Sequence, residues 1–326
     1  MHTLLTISSL LLILFGSSLL LGRLRSVYNW SQRRTIQLAV LAMPGVFFDL
    51  GMSGWHHFLC DTCFVGAPLW DVLLGAALPV VMTGIALVAV GLGLLRLLLM
   101  RNVLARRALF SRADIQKSVD ELGHRLHTRH TRVLLTRSEQ PVAFTCGIRR
   151  PIIVLSTWMV EQLDQRELEA VLAHEMEHVA RCDYLVVWLS LVLRDAFFYI
   201  PTCHISYRQL QSEKELACDD LAIGVTHRPL ALASALAKVW QNVVVRPTLL
   251  PIFDASQSLV KDEGGTYTRI ERLLAVTPVK TPIQTPHSLR TKIFILGILC
   301  TVQCMNVVVT MTLMGHNPLT LLEKLF

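Results

Sequence analysis

The chain has 326 residues, of which 52% belong to the hydrophobic set AVILMFWYC, 17% are charged and 7% aromatic, with a net charge of +7 and a mean hydropathy of +0.48. Ordinary soluble domains carry roughly 25% charged residues, so this composition excludes a disordered, collagenous or ordinary cytosolic chain and points to a membrane protein. A pI near 9.1 suits either nucleic acid or an anionic membrane surface, and the placement of the basic residues decides between them.

Residues 3–22 carry no charge, and as a helix they reach about 30 Å, the thickness of the hydrocarbon core. A cleaved signal peptide is disfavoured because Arg23 and Arg25 follow the apolar run instead of preceding it. A second span is predicted over 35–55, interrupted by Pro44 and Asp49, a third over 72–95 and a fourth over 292–315. Arg23, Arg25, Arg33 and Arg34 separate the first two spans, whereas His56–Asp71 holds no Lys or Arg. Arg96, Arg101, Arg106, Arg107 and Arg112 follow the third span, Lys280 and Arg290 precede the fourth, and Lys292 stands at its start. The positive-inside rule then puts both termini outside, with the short tail 316–326, and residues 101–291 in the cytoplasm. The basic excess belongs to membrane anchoring, and no clustered basic face or motif calls for nucleic acid.

The loop between the second and third spans holds His56, His57, Cys60 and Cys63. It reads either as an outer sensor, binding a soft metal or switching between dithiol and disulfide, or as a structural disulfide tying down a short loop. Cys146, Cys182, Cys203 and Cys218 fall on the reducing side.

From Leu104 to Arg137 the pattern is amphipathic and basic, with His124, His127 and His130 spaced by three. No acid or Cys completes that set, so a solvated helix is expected rather than a metal site. Val142–Cys146 and Pro151–Ser156 are predicted as strands about a turn at Gly147, the second a β-branched run. Such a pair can present an edge to an extended peptide.

Asp164 to Glu167 has capping-box spacing and opens a helix with Leu168, Val171, Leu172 and Val179 at helical intervals. On it lies His174-Glu175-Met176-Glu177-His178. Residues four apart share a helix face, so both imidazoles can address one Zn²⁺, with Glu175 beside them as general base on an attacking water. Random placement of the chain's His and acids predicts fewer than ~0.03 such matches. Two imidazoles leave a tetrahedral site short of a third protein ligand. Glu213–Asp220 offers Glu215 and Asp219, one to bind metal and the other to orient an imidazole, and Cys218 as a lesser thiolate candidate.

The runs Phe144–Val154, Glu167–His178 and Glu215-Leu216-Ala217-Cys218-Asp219 resemble the membrane-embedded gluzincins, above all the M56 peptidases of the BlaR1/MecR1 type, with the related M48 group (the HtpX and CAAX-prenyl protease kind) second. Glu-x-x-Cys-Asp and the Arg-Pro before the strand favour M56. The resemblance implies a mainly α membrane protein: four transmembrane helices plus a cytoplasmic α+β zinc peptidase domain, 101–291, ending in a linker at about 244–291. It implies one Zn²⁺ per chain held by His174, His178 and Glu215, with Glu175 as base and Asp219 behind a ligand. Receptors of the BlaR1 type carry an outer sensor domain after the last span, so here a sensor is expected to be short, separate or absent.

Tyr184–Ile200 is apolar enough to suggest a fifth span, but crossing there would part His178 from Glu215, and Pro201–Ser212 is too polar to return. A buried or interfacial helix is expected, with Arg194 and Asp195 paired. Tyr207, Arg208, His204 and His227 are the candidates for stabilising an oxyanion. The expected function is cleavage of a protein or peptide at the cytoplasmic membrane face, the substrate being a transcriptional repressor or the chain's own segment Val244–Pro286. Quality control of membrane proteins, in the M48 manner, and a non-proteolytic metal- or redox-sensing receptor are the alternatives.

Overall fold

The computed structural model describes residues 2–24, 27, 29–51, 69, 78–106, 109–128, 130–148, 150–245 and 263–275. The order is α1 (His2–Arg23), α2 (Trp30–Gly51), α3 (Leu78–Arg106), β1 (Leu109–Phe110), α4 (Ala113–Leu126), β2 (Arg132–Thr136), β3 (Ala143–Cys146), β4 (Ile152–Ser156), α5 (Thr157–Gln162), α6 (Gln165–Ala180), α7 (Asp183–Ala196), α8 (Pro201–Thr226), α9 (Pro229–Val245) and α10 (Glu263–Ala275). These elements fall into two compact units: residues up to Leu94 with Ser190–Gln209, and Leu95–Leu189 with Leu210–Pro286.

In the first unit α1, α2 and the start of α3 take up the three N-terminal segments predicted to span. Among the described residues, Val80–Leu104 of α3 is the one stretch long and apolar enough to cross a membrane. Its sides are bare, with Leu87 67% and Val88 62% exposed. That is costly in water and suited to acyl chains. Pro44 is carried inside α2. The predicted span 292–315 and the outer loop with His56, His57, Cys60 and Cys63 lie outside the described residues.

The second unit is built on a four-stranded sheet of order β1-β2-β4-β3. β2 and β4 are parallel, whereas the β1–β2 and β3–β4 pairs are antiparallel. The run Ile152-Ile153-Val154-Leu155 makes β4 an inner strand buried on both faces. Ile153 and Leu155 join Val133, Leu135, Leu122, Met176 and Leu236 in the main core. Val154 points the other way, to Phe144, Val142 and Cys146. The predicted turn at Gly147 has φ +95°, and a Cβ there would stand 2.6 Å from the carbonyl oxygen of Arg150. Only glycine fits that turn without strain.

The amphipathic stretch 104–137 is not one helix, which corrects the sequence reading. α4 buries Ile115, Val119 and Leu122, then stops where His127 takes a left-handed φ of 50°. β2 follows, held by Gln116, whose Nε2 donates to the Thr131 carbonyl at 2.9 Å while its Oε1 accepts from the Val133 N–H at 2.9 Å. The three histidines are dispersed: His127 caps the helix and His130 lies 3.3 Å from Asp120.

α6 starts as its cap predicts. The Glu167 N–H donates to Asp164 Oδ1 at 2.8 Å, and the Asp164 N–H donates back to Glu167 Oε2 at 2.9 Å. Glu167 is itself buried and accepts from Ser234 and Lys238 of α9, both at 2.6 Å. Burial works against its charge, yet these donors keep its carboxyl below the usual range. One residue thus caps α6 and fastens α9 to it.

Candidate metal centre

α6 puts His174 and His178 on one face with ring centroids 4.8 Å apart and planes nearly perpendicular. α8 brings Glu215 up to them: its Oε2 is 3.4 Å from His174 Nε2 and its Oε1 3.9 Å from His178 Nε2. One ligand atom from each of the three lies within 4.8 Å of the others. All three residues are buried, and the two Nε2 atoms and both Glu215 oxygens have no hydrogen-bond partner. Four polar atoms left unsatisfied at one buried point would be a heavy penalty in a finished core. As two imidazoles and a carboxylate they match the donor set of a catalytic zinc site with an open position.

Groups behind the ligands set their charge and orientation. Asp219 Oδ1 lies 3.0 Å from His174 Nδ1, and Asp183 Oδ2 lies 2.9 Å from His178 Nδ1. A carboxylate beside each Nδ1 favours the tautomer with its proton there, which in the neutral ring leaves the Nε2 lone pair facing the shared point. Of the two contacts, Asp183–His178 has hydrogen-bond geometry, whereas Asp219 stands near His174 Nδ1 without it. Arg269 of α10 is buried and grips Asp219 with Nε and Nη2, each at 2.7 Å, while its Nη1 is 3.3 Å from Glu215. Lys214 Nζ stands 3.0 Å from Glu215 Oε1. Burial opposes ionisation of Glu215, but Lys214, the two histidines and Arg269 hold its carboxyl well below the usual range. Asp219 is likewise kept low against its burial, chiefly by Arg269. Burial alone would depress His174, but Asp219 and Glu215 prevail and push it up to about 9 in the absence of a cation. A metal entering here displaces that proton.

Glu175 faces the edge of the sheet. The Thr145 hydroxyl of β3 donates to its Oε2 at 2.8 Å, leaving Oε1 buried without a partner. Cys218 lies 3.2 Å from His178 Nδ1, on the side away from the Nε2 atoms. Burial, then Asp183, pushes its thiol well above the ordinary range, so it stands as a neutral small side chain rather than a ready thiolate.

Of the other predicted residues, Tyr207, Arg208 and His204 belong to the first unit. Arg194 Cζ lies 4.6 Å from the Tyr207 ring centroid, and His204 Nε2 is 2.8 Å from the Phe198 carbonyl oxygen. His227 is exposed just beyond the end of α8 with φ 56°. Sequence reasoning missed Asp183, Arg269, Lys214 and Thr145. Asp183 carried a signal, five residues beyond His178 and at the start of the next helix. Arg269 carried none, since its segment read as linker; there the structure has α10, and the helix delivers a buried arginine to the centre.

The profile of the BlaR1 peptidase M56 family matches residues 70–231. "Protease HtpX homolog 1" of Streptomyces coelicolor is 29% identical over 171 residues, covering 41% of this chain and 56% of that protein. "Regulatory protein BlaR1" of Bacillus licheniformis is 24% identical over 160 residues, covering 48% of this chain and 25% of that one. The chain therefore spans little more than half, and as little as a quarter, of the length of these relatives. Among solved structures, S. mikatae Ste24p aligns at a TM-score of 0.36 and 14% identity over 74% of this chain and 65% of that one. The profile match runs through the HExxH helix and the Glu215–Asp219 stretch, so over 70–231 the chain is similar to the M56 metallopeptidases, and it also resembles proteases of the HtpX kind.

Proposed function

We propose that the chain is a zinc-dependent metalloendopeptidase working at the cytoplasmic face of a membrane. The observation that carries this reading is the convergence within 4.8 Å of His174 Nε2 and His178 Nε2, which have no hydrogen-bond partner, and the Glu215 carboxylate, which has ion-pair neighbours but no hydrogen bond, beside a Glu175 whose Oε1 also has no hydrogen-bond partner. Three protein ligands leave a coordination position for substrate or water, which a structural site closes with a fourth. A sensor that only bound metal would need no adjacent base.

His174, His178 and Glu215 would hold Zn²⁺, which would supply Lewis acidity toward a scissile carbonyl and an attacking water. Glu175 Oε1 accepts the proton of that water and returns it to the departing amine. Thr145, by holding Oε2, fixes which oxygen does so. Asp183 by its hydrogen bond, and Asp219 by its nearness, favour the tautomers whose Nε2 faces the centre, while Arg269 keeps Asp219 ionised and Lys214, with the histidines and Arg269, does the same for Glu215. Among the described residues β3 is the last strand of the sheet on this side, and an extended substrate can add along it by backbone hydrogen bonds. The substrate is a protein, in one form a transcriptional repressor cleaved in response to a signal, in the other a damaged membrane protein. The arginine-rich flanks of the predicted spans support a cytoplasmic site.

The test is purification in detergent with metal analysis and cleavage of an unfolded reporter such as casein, comparing wild type with Glu175→Gln. One zinc per chain in both, with cleavage only in the wild type, is the expected result. Wild-type protein without zinc, or a Glu175→Gln protein that still cleaves, would end this reading.

A further inference from the structure

The segment joining α7 to α8 packs where a loop of a cytoplasmic domain should not. Ala196, Phe197, Ile200 and Cys203 share one buried cluster with Ile13, Leu41 and Ala89. Ile13 and Leu41 are each the twelfth of 22 residues in α1 and α2, and Ala89 is the tenth of the 25 in the apolar stretch Val80–Leu104. Phe197 also comes within 3.5 Å of where a Cβ on Gly45 would stand. The corner therefore meets all three helices near their midpoints. A helix lying flat on the membrane surface would meet them at their ends.

The two arms close on themselves. Asp183 at the start of α7 lies 3.5 Å from Cys218 in the third turn from the end of α8, so the chain enters and returns on one side. α7 has 14 residues, a rise of about 21 Å. That is too short to cross a hydrocarbon core of about 30 Å and long enough to pass its midplane.

Polar groups at the corner are satisfied within the protein, as a hydrocarbon setting requires. Arg194 and Asp195 pair at 2.6 Å, His204 Nε2 bonds the Phe198 carbonyl at 2.8 Å, and the Ser206 hydroxyl donates to the Gln37 carbonyl at 2.9 Å. The Thr202 hydroxyl and the Gln37 side-chain nitrogen are the exceptions, buried without a hydrogen-bond partner. What the corner turns outward is apolar: Phe198 is 56% exposed, Ile205 47% and Tyr199 40%. Arg208, seven residues along α8 from Pro201 and exposed, is about 10 Å further out, where its guanidinium can reach headgroups.

We propose that the α7–α8 corner is a re-entrant helical hairpin whose occupied surface is lipid, with Phe198, Tyr199 and Ile205 facing acyl chains near the midplane. This holds whether or not the metal centre is proteolytic. A nitroxide attached through p-acetylphenylalanine at 198, 205 or 208, with exposed Leu230 as the aqueous reference, leaves all native cysteines in place. The full-length protein is reconstituted in phosphatidylcholine vesicles, and collisions with dissolved oxygen and with a water-soluble nickel chelate are measured. Oxygen collisions should exceed nickel collisions at 198 and 205, the preference should be weaker at 208, and the order should reverse at 230. Nickel collisions dominating at 198 and 205 would put the corner in water. Low collision rates with both would mean protein covers it. Equal preferences at 198 and 208 would lay it flat at the interface. Each of these three overturns the proposal. If one labelled variant fails to reconstitute, position 205 or 198 alone decides.

Discussion

Asp183 is the sharpest place to perturb the metal centre without touching a ligand. Its Oδ2 accepts the Nδ1 proton of His178 at 2.9 Å and also faces Arg181 Nε at 3.2 Å. Asp183→Asn keeps an oxygen acceptor but removes its charge. A hydrogen bond to a charged group contributes about 1.5–3 kcal/mol and a neutral one about 0.5–1.5, so about 1–1.5 kcal/mol of ligand orientation is lost. At 1.4 kcal/mol per decade that is roughly a tenfold rise in the zinc dissociation constant. Asp183→Ala removes the acceptor as well and should reach about a hundredfold, the upper range for deleting a partner of a metal-bound histidine. The assay is competition for zinc against a chromophoric chelator in detergent, with melting of the metal-free proteins recorded beside it. That second measurement separates the ligand effect from any cost of leaving Arg181 less well paired. Wild-type zinc affinity in both variants would refute the role given to Asp183. Equal losses in Asn and Ala would show that its charge acts and its position as acceptor does not.

Thr145→Val should lower kcat for peptide cleavage by about tenfold with zinc content unchanged, because one donor to the Glu175 carboxylate is lost; Thr145→Ser should restore most of it, and an unaltered kcat in the Val variant would count against that role. Gly147→Ala should lower the stability of the catalytic unit by about 1–3 kcal/mol, measured by denaturant unfolding, since the new Cβ meets Arg150 at 2.6 Å in a left-handed turn. His174 rises from 6.5 to about 9 without a cation, its partners Asp219 and Glu215 outweighing burial. Its contribution to the stability of the metal-free protein is therefore complete below pH 6.5 and lost as pH climbs through 9. Zinc uptake at pH 7 should correspondingly release a proton from this group, and apparent affinity should rise with pH up to about 9. Calorimetry in buffers of differing ionisation enthalpy reads that proton directly, and metal uptake with no release would contradict it.

What was legible in the sequence was what local periodicity encodes. His174 and His178 share a face because four residues make little more than one helical turn, and the cap from Asp164 to Glu167 fixes where that helix begins whatever surrounds it. The β-branched run at 152–154 and the glycine before it likewise announce a strand and a turn by their own stereochemistry. The stretch 104–137 misled because its apolar spacing is helical in α4 and merely aliphatic in β2. The break between them depends on Gln116 bonding to Thr131 and Val133, a contact that no window of residues contains.

By itself, then, the amino-acid order determined the HExxH helix, the carboxylates of α8 as partners for it, and the apolar character of the N-terminal segments. Only the tertiary structure decided which groups stand behind the ligands. Asp183 reaches His178 because α7 turns back against α6, and Arg269 reaches Asp219 across 50 residues because α10 packs into the core through Leu273. It likewise decided that the apolar stretch between the two ligand helices breaks into α7 and α8 at the residues between Ala196 and Pro201. Helical spacing is a property of consecutive residues, whereas the pairing of buried charges is fixed by which elements the whole chain brings into a low-dielectric interior, where an unpaired charge is too costly to remain.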